Sequence, residues 1–240
     1  MGTPRSMLII SAHAADFVWR AGGAIGLHTE NGGKAKVVSL SYGENGESGD
    51  LWLESGQTVE AVKKKRHAEA SAASSALGAD FIPMDLGDYP LEVSGASLQK
   101  LASIFVETKP DVVLVHAPED PFNPDHPVAS SAAQKARLLA TGAGGVPASF
   151  ETIPPPVMYA FEPHQPDLCS FKPDTFVDVT KVWHKKSEAM SAMAAQRYLQ
   201  EHYTVRAEQR AYQARYAGFD KDTKYVEAFQ RLTPEKRSAL

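Results

Sequence analysis

The sequence predicts an α/β fold of the Rossmann-like type, with a mostly parallel sheet and helices on both of its faces. Short apolar runs of strand length alternate along the chain with longer segments whose apolar residues recur at helical spacing. Glycine and proline separate many of these segments. Regular alternation of strand and helix is typical of parallel sheets whose strands are joined by crossover helices.

The first half of the chain contains three predicted strands and three predicted helices. The strands are expected at residues 7–10, 35–40 and 81–84, and the helices at residues 24–31, 58–77 and 97–108. Gly32, Gly78 and Pro110 each follow a helix that they can stop. Pro83 predicts that the third strand lies at an edge of the sheet. Residues 41–57 are expected to form a Gly-rich acidic loop, of a length that is usual for functional or disordered loops.

The second half continues the alternation. Strands are expected at residues 111–116, 157–161 and 175–179, and helices at residues 127–140, 181–200 and 207–217. The unbroken apolar run at residues 111–116 is typical of a strand that is buried on both faces. We expect residues 1–240 to form a single domain, with residues 181–240 as a helical C-terminal elaboration.

Composition excludes several classes of protein. The net charge of −4 and the scattered basic residues argue against a nucleic-acid partner. No apolar run approaches the ~18 residues that a membrane span needs, and residues 1–6 are too short for a signal peptide. The single cysteine, Cys169, fits a reducing cytoplasm, which is the expected location. No G-x-G-x-x-G fingerprint follows the first strand, so a nicotinamide-dependent enzyme is not expected.

Polar side chains cluster where the predicted strands end. His13 and Asp16 follow the first strand, Glu44 and Glu47 follow the second, and His126 follows the strand at residues 111–116. Because the carboxyl ends of parallel strands open at one edge, these side chains are expected to share a crevice. Two imidazoles and one carboxylate can bind a divalent ion and leave room for water or substrate. The alternative is that His126 caps the helix after it and the acids form loop hydrogen bonds.

The residues resemble the motifs of the LmbE/PIG-L zinc deacetylases. In that family the first strand ends in Ala-His-Pro-Asp-Asp-Glu before a Gly pair, and a second motif reads His-x-Asp-His. The resemblance covers most of the chain and includes Gly43-Glu44, Arg66, Glu69 and Leu77-Gly78. It implies an LmbE-like fold and Zn²⁺ held by His13, Asp16 and His126, although these ligands alone also suit manganese or iron.

Three positions depart from the family pattern. Ala15 stands where the family has the Asp that acts as general base in amide hydrolysis, Phe17 replaces the following Glu, and Asn123 replaces the leading His of the second motif. A methyl group cannot take a proton from water, so the deacetylase reaction lacks its usual base. The departures favour a relative that kept its metal and changed its reaction.

One branch of the family resembles the chain at these departures. It is the branch that hydrates 4-oxalomesaconate in gallate and protocatechuate breakdown, and the matching stretches are residues 11–25, 41–48, 87–90, 120–127 and 159–169. The resemblance implies a hydro-lyase that adds water to the carbon–carbon double bond and gives 4-carboxy-4-hydroxy-2-oxoadipate. The expected partner is therefore a small tricarboxylic acid, with neither nucleic acid nor membrane.

Hydration needs a base for water, an acid for the neighbouring carbon and cations for the substrate carboxylates. We assign Glu47 as the base, with Glu44 as its rival and as a substrate-binding candidate, and His164 as the proton donor. Arg20, one turn past Asp16, is the first candidate for binding carboxylates, ahead of Lys185 and Arg197. Each has a plainer interpretation: Glu47 as a solvated loop acid, His164 as a hydrogen-bonded loop residue, and Arg20 as part of a salt bridge.

Some alternatives stay open at the level of sequence. A zinc deacetylase for an N-acyl sugar or related amide could use Glu44 or Glu47 in place of the missing Asp, and a non-catalytic metal-binding module could keep the fold alone. Asp125 is expected either to orient His126 or to remain a loop acid. The last helices are expected to pack on the core or to contact a second copy of the chain through Met190, Met193, Tyr198, Tyr203, Tyr212, Tyr216 and Phe219.

Overall fold

Strands and helices alternate through most of the structure, a computed structural model that describes residues 5–145 and 151–234. The strands in these residues are β1 (Ser6–Ser11), β2 (Lys34–Ser39), β3 (Asp80–Pro83), β4 (Val112–Val115), β5 (Val157–Phe161), β6 (Thr175–Asp178) and β7 (Val226–Arg231). The α-helices are α1 (Asp16–Glu30), α2 (Gly49–Trp52), α3 (Val59–Ala76), α4 (Gly95–Thr108), α5 (Asp125–Thr141), α6 (Trp183–Ala192) and α7 (Leu199–Ala214).

The strands form one sheet in the order β3-β2-β1-β4-β5-β7-β6. The first five of these strands pair in parallel, whereas β7 runs antiparallel to both β5 and β6. The prediction of a Rossmann-like, mostly parallel sheet is therefore confirmed. β3 lies at an edge, as its proline predicted.

Helices cover both faces of the sheet, and β1 shows how the sequence achieves this. Its side chains alternate, so that Ile9 packs in one apolar layer while Leu8 and Ile10 pack in the other. The first layer contains residues of α1, α3, α6 and α7, and the second contains residues of α4 and α5. Along the described chain, no helix is both long and apolar enough to cross a bilayer.

The first helix begins earlier than predicted. The sequence placed its start at residue 24, but α1 begins at Asp16, directly after the His13 turn. Gly22 and Gly23, which directly precede the predicted start, lie inside the helix. A Cβ at Gly23 would lie 2.7 Å from the Cβ of Val179, so this glycine allows the C-terminal part of the chain to approach α1. That contact outweighs the low helix propensity of glycine.

The C-terminal segment differs most from the prediction. The helix expected over residues 181–200 ends at Ala192, a short 3₁₀ turn follows at Ala194–Gln196, and α7 starts at Leu199 instead of at residue 207. Residues 181–240 are also not purely helical, because β7 joins the sheet between β5 and β6.

β7 escaped prediction because it contains a buried charge. Its Glu227 is 4% exposed and accepts hydrogen bonds from the Gly23 and Ala24 N–H groups and from Lys186 Nζ. Hydrogen bonds from these partners offset the cost of burying the Glu227 carboxylate, although a charged residue in the sequence usually indicates an exposed position.

The apolar residues of the last helices divide between core and surface. Met190, Met193 and Tyr203 are buried, whereas Tyr198, Tyr212 and Tyr216 are between 58% and 84% exposed. Core packing therefore accounts for only part of this set.

Candidate active site

A cavity of about 240 Å³ opens at the carboxyl edge of the parallel strands. His13 and Asp16 follow β1, Glu47 follows β2, His126 lies at the start of α5 after β4, and His164 follows β5. The parallel topology brings these separate loops together, as the sequence predicted. The lining residues are Asp16, Trp19, Arg20, Gly46, Glu47, Tyr89, Asp120, Phe122, Asn123, His126, His164, Gln196, Tyr198, Leu199 and Tyr203.

His13, Asp16 and His126 form a compact set of potential metal ligands. One ligand atom from each lies within 4.8 Å of the others, and all three residues are buried. His13 Nδ1 is 3.3 Å from Asp16 Oδ2, and His126 Nε2 is 3.5 Å from Asp16 Oδ1. Neither ring nitrogen has a hydrogen bond to another described residue. Buried nitrogens without partners are costly, and a cation between them would satisfy both.

Carboxylates support both histidines from behind. His13 Nε2 lies 3.2 Å from Asp125 Oδ2, and His126 Nδ1 lies 2.8 Å from Asp120 Oδ2. This arrangement fixes the ring orientation and leaves the opposite nitrogen of each ring free to bind a metal. Of the two alternatives for Asp125, orienting His126 is wrong, because Asp125 contacts His13 and Asp120 contacts His126.

The electrostatics of the site favour a positive charge. Burial alone disfavours a charged imidazole, but contacts with Asp125, Asp16 and Glu47 outweigh it and raise the pKa of His13 to about 10. Burial likewise opposes ionisation of Asp16, yet His116 and His126 hold the pKa of this carboxyl well below its usual value. An anionic carboxylate beside buried imidazoles suits a divalent cation.

His116 packs beside the ligand set as a neutral side chain. Its ring stacks on His126 with centroids 4.0 Å apart, and its Nε2 accepts a hydrogen bond from the Ala12 N–H at 3.0 Å. Burial, followed by the charge of His126, lowers the pKa of His116 far below its ordinary value. The residue therefore packs against His126 and lies 3.2 Å from Asp16 at the back of the ligand set.

Glu47 points toward the ligand set. Its Oε1 lies 3.9 Å from His13 Nδ1 and accepts hydrogen bonds from Tyr89 Oη at 3.2 Å and Asn123 Nδ2 at 2.9 Å. Its Oε2 accepts a hydrogen bond from Gln196 Nε2 at 2.8 Å. The side chain is 22% exposed. Three neutral donors thus fix a carboxylate at the cavity wall, which is not the environment of a solvated loop acid.

Glu44 is not brought to the cavity. Its Oε1 lies 3.3 Å from Lys63 Nζ, its Oε2 accepts a hydrogen bond from the Tyr42 N–H, and burial raises its pKa. Gly43 has a φ of 69° and a Cβ there would lie 2.8 Å from that of Glu47. This tight turn sends the two acids in different directions, which sequence spacing alone does not reveal.

Arg20 reaches the cavity while it remains paired. Its Nη1 donates to the Glu162 carbonyl at 3.2 Å, and its Nε lies 3.6 Å from Asp16 Oδ1. Arg20 therefore fits both interpretations made from the sequence: it lines the cavity, where it can bind a substrate carboxylate, and it forms a salt bridge with Asp16. Neither weaker candidate lines the cavity: Lys185 pairs with Glu30, and Arg197 is exposed.

His164 lies on the cavity wall with its ring held by α7. Its Nδ1 is 3.0 Å from Tyr203 Oη, and its carbonyl accepts a hydrogen bond from Arg206 Nη2 at 3.1 Å. Burial, assisted by the positive charge of Arg20, lowers the pKa of His164 to about 3. The imidazole is consequently neutral near pH 7.

Comparison with known families identifies the fold and motif pattern. The family model described as PIG-L, GlcNAc-PI de-N-acetylase, matches residues 8–137, which include His13, Asp16 and His126. The chain belongs to the PIG-L family. In this PIG-L protein, Ala15 takes the position for which the family resemblance implies a general base.

Two relatives match nearly the whole chain. One, from Pseudomonas putida strain KT2440, is named 4-oxalmesaconate hydratase and is 47% identical over 98% of this chain and 92% of its own. A crystal structure of GalB, the 4-carboxy-2-hydroxymuconate hydratase from Pseudomonas putida KT2440, is 44% identical, with a TM-score of 0.94 over 99% of this chain and 100% of that one.

A more distant structure shares the fold alone. The N,N'-diacetylchitobiose deacetylase from Pyrococcus horikoshii has a TM-score of 0.78 at 18% identity, over 94% of this chain and 83% of that one. Both deacetylases and hydratases therefore occur on this PIG-L architecture.

The sequence did not reveal the contacts that several residues of the PIG-L site make. Asp120, Asn123 and Tyr89 lie in stretches that carried the resemblance, but their partners become visible only in three dimensions. Nothing in the sequence indicated that Gln196 belongs to the site, because residues 181–200 were expected to form one continuous helix. Its position depends on the 3₁₀ turn at Ala194–Gln196.

Proposed function

We propose that this protein is a metal-dependent hydro-lyase that adds water to the carbon–carbon double bond of 4-oxalomesaconate, giving 4-carboxy-4-hydroxy-2-oxoadipate. The observation that carries the proposal is the 47% identity, over nearly the full length of both chains, to a relative named 4-oxalmesaconate hydratase. The relative of known structure, named for the hydration of 4-carboxy-2-hydroxymuconate, supports the same reaction class. Ala15 and the fixed Glu47 agree with it, since the site has a carboxylate for water but lacks the base of amide hydrolysis.

The metal in this proposal is Zn²⁺, held by His13, Asp16 and His126. The two unpartnered ring nitrogens and the anionic carboxylate support this choice. When bound, such an ion polarises substrate oxygens and stabilises the negative charge that develops on them.

Glu47 and His164 carry the proton transfers. Glu47 takes a proton from water while the water oxygen bonds to the carbon that becomes the alcohol carbon. The π electrons move to the neighbouring carbon and the oxygens conjugated with it, and His164 donates a proton to that carbon. Because His164 is neutral in the free protein, it needs to gain a proton as the substrate binds. Nearby substrate carboxylates favour this gain by raising its pKa.

The substrate is a small tricarboxylic acid, and Arg20 is the protein cation that binds one of its carboxylates. Among the described residues, Arg20 is the one Arg or Lys on the cavity wall. A guanidinium forms strong, directed hydrogen bonds with a carboxylate. We place this reaction in gallate and protocatechuate breakdown in the cytoplasm. Self-association through exposed tyrosines such as Tyr198 and Tyr212 stays a prediction that gel filtration can check.

One paired assay tests the function. Purified protein is mixed with 4-oxalomesaconate, and loss of its conjugated absorbance is followed with and without a chelator. A parallel reaction with an N-acetyl amino sugar is followed for release of acetate. We expect loss of absorbance that the chelator abolishes and added Zn²⁺ restores, without acetate release. Acetate release would instead indicate a deacetylase, and inactivity of the folded, metal-loaded protein in both reactions would indicate a binding module.

A further inference from the structure

A buried polar network connects to Glu47 through the side chain of Gln196. Its centre is Arg66 on α3, whose side chain is fully buried. The guanidinium donates to Glu69 Oε2 at 2.7 Å, to the Tyr42 carbonyl at 3.3 Å and to Gln196 Oε1 at 3.1 Å. Buried ion pairs contribute little net stability, because desolvation offsets their attraction. Stability alone is therefore a weak reason for this arrangement.

The network decides which way the Gln196 amide faces. Gln196 is 2% exposed, and its Oε1 accepts hydrogen bonds from Arg66 Nη2 at 3.1 Å and Trp19 Nε1 at 3.4 Å. Both partners can only donate, so the amide oxygen has to face them. The amide nitrogen is thereby directed at Glu47, to which Nε2 donates at 2.8 Å.

The same network holds the backbone next to Gln196. The second carboxylate oxygen of Glu69, Oε1, accepts the Ala195 N–H at 3.1 Å. Glu69 therefore fixes both Arg66 and the 3₁₀ turn that carries Gln196. Three contacts of this cluster, from Arg66, Trp19 and Glu69, therefore act on the Gln196 amide or on the turn that carries it.

We propose that Gln196 is a positioning residue for Glu47, with its orientation set by the Arg66–Glu69 pair. In the described part of the chain, Gln196 is the one donor to Glu47 Oε2, while Tyr89 and Asn123 hold Oε1. Without the Gln196 donor, the Glu47 carboxylate can rotate about its Cγ–Cδ bond, and the oxygen that accepts the proton of water is no longer held in one orientation. The inference rests on the proposed role of Glu47 in hydration.

A double-mutant cycle tests the inference through Glu47 itself. Gln196→Met is introduced into the wild type and into Glu47→Gln, and kcat and KM for hydration are measured for all four proteins. We expect Gln196→Met to lower kcat by about tenfold or more in the wild type, with KM within about twofold. In Glu47→Gln, the same change is expected to lower kcat by less than about twofold. An equal fall in both backgrounds, or no fall in the wild type, would overturn the proposal.

Two further variants separate positioning from folding. Gln196→Glu keeps oxygen acceptors for Arg66 and Trp19 but presents a negative charge to Glu47, so we expect the same loss of kcat in a fully folded protein. Gln200→Met is the matched control: it makes the same Gln-to-Met substitution four residues later, at a residue that does not line the cavity. We expect it to leave kcat unchanged.

Crystal structures of the wild type and of Gln196→Met give a readout that does not depend on activity. A displaced Glu47 carboxylate in the variant would support the inference, and an unmoved one would contradict it. This readout still applies if the wild type does not hydrate 4-oxalomesaconate. Failure of the proposed function and failure of the positioning role are therefore distinguishable.

Discussion

At the scale of single residues, the proposed chemistry depends on which of two acids faces the ligand set. Glu47 Oε1 lies 3.9 Å from His13 Nδ1, whereas Glu44 is paired with Lys63 away from the cavity. Both acids belong to the loop at residues 41–57, and the turn at Gly43 separates them.

Replacing Glu47 tests its role directly. We expect Glu47→Gln to lower kcat for hydration by about a hundredfold or more, because the amide cannot accept the proton of water. Glu44→Gln is the matched change and should keep kcat within about threefold, since Glu44 lies outside the cavity lining. Steady-state kinetics on both metal-loaded variants provides the measurement. The reverse ranking would make Glu44 the base.

His164 should leave a signature in the pH dependence of stability. Burial lowers its pKa in the folded protein to about 3, from an ordinary value of 6.5. Above pH 6.5 the imidazole is neutral in both folded and unfolded states. Below pH 6.5 the unfolded chain gains a proton that the folded chain gains only near pH 3, so the free energy of unfolding falls through this window.

Urea unfolding at several pH values between 4.5 and 7 measures this effect. The contribution of His164 has a limiting slope of about 1.4 kcal/mol per pH unit, and His164→Gln should make the overall slope shallower. An unchanged slope in the variant would mean that His164 titrates alike in both states.

Residue-scale prediction from sequence succeeded where strand ends and family resemblance coincided. His13, Asp16 and His126 were placed together from strand order, and the structure brings them within 4.8 Å. The sequence left Asp125 either orienting His126 or remaining a loop acid, whereas the carboxylate that contacts His126 is that of Asp120. Adjacency in sequence does not determine which side of an imidazole ring a carboxylate reaches. Gln196 was not predicted as a site residue, because the sequence pattern does not reveal the 3₁₀ turn between α6 and α7 that positions it.

At the scale of elements, the contact between α1 and the C-terminal segment organises the site. The interior Gly23 lets Val179 approach α1, and Glu227 of β7 binds the N–H groups of Gly23 and Ala24. Sequence patterns located most strands and helices, since apolar periodicity is local. They missed β7, because its buried Glu227 is satisfied by partners that are distant in sequence. They also missed the true start of α1, because this helix contains glycines such as Gly23, which contacts the distant Val179.

Two glycines of α1 provide a matched test of this contact. Gly23→Ala should lower the free energy of unfolding by about 1–3 kcal/mol, because its Cβ would lie 2.7 Å from Val179. Gly26→Ala meets its nearest neighbour at 3.6 Å and should raise stability by about 0.5–1 kcal/mol through helix propensity. Urea unfolding of both variants decides the matter. Equal effects would mean that the close approach is not rigid.

The buried pair of Lys186 and Glu227 provides a second test at this scale. We expect Glu227→Gln to lower the free energy of unfolding by about 3–5 kcal/mol, because it leaves the Lys186 ammonium without its charged partner in the interior. Thermal and urea unfolding measure the loss. A neutral result would show that water reaches Lys186 in the variant.

At the scale of the whole molecule, one sheet joins residues from both ends of the chain. β1 is central, whereas β7 near the C-terminus pairs with β5 and β6. We therefore propose that the chain unfolds as one domain, in a single cooperative transition that different probes report alike. Metal removal by a chelator should lower the midpoint of that transition by about 5–10 °C, since the ion binds only the folded site. Calorimetry with and without chelator measures both effects, and two separate transitions would contradict the single domain.

The metal content of the purified protein tests the central claim most directly. We expect elemental analysis to find one Zn²⁺ for each wild-type chain, and a strongly reduced content after His126→Ala or Asp16→Ala. A wild type without stoichiometric metal, or full metal content in both variants, would contradict the proposed site and the hydration chemistry that depends on it.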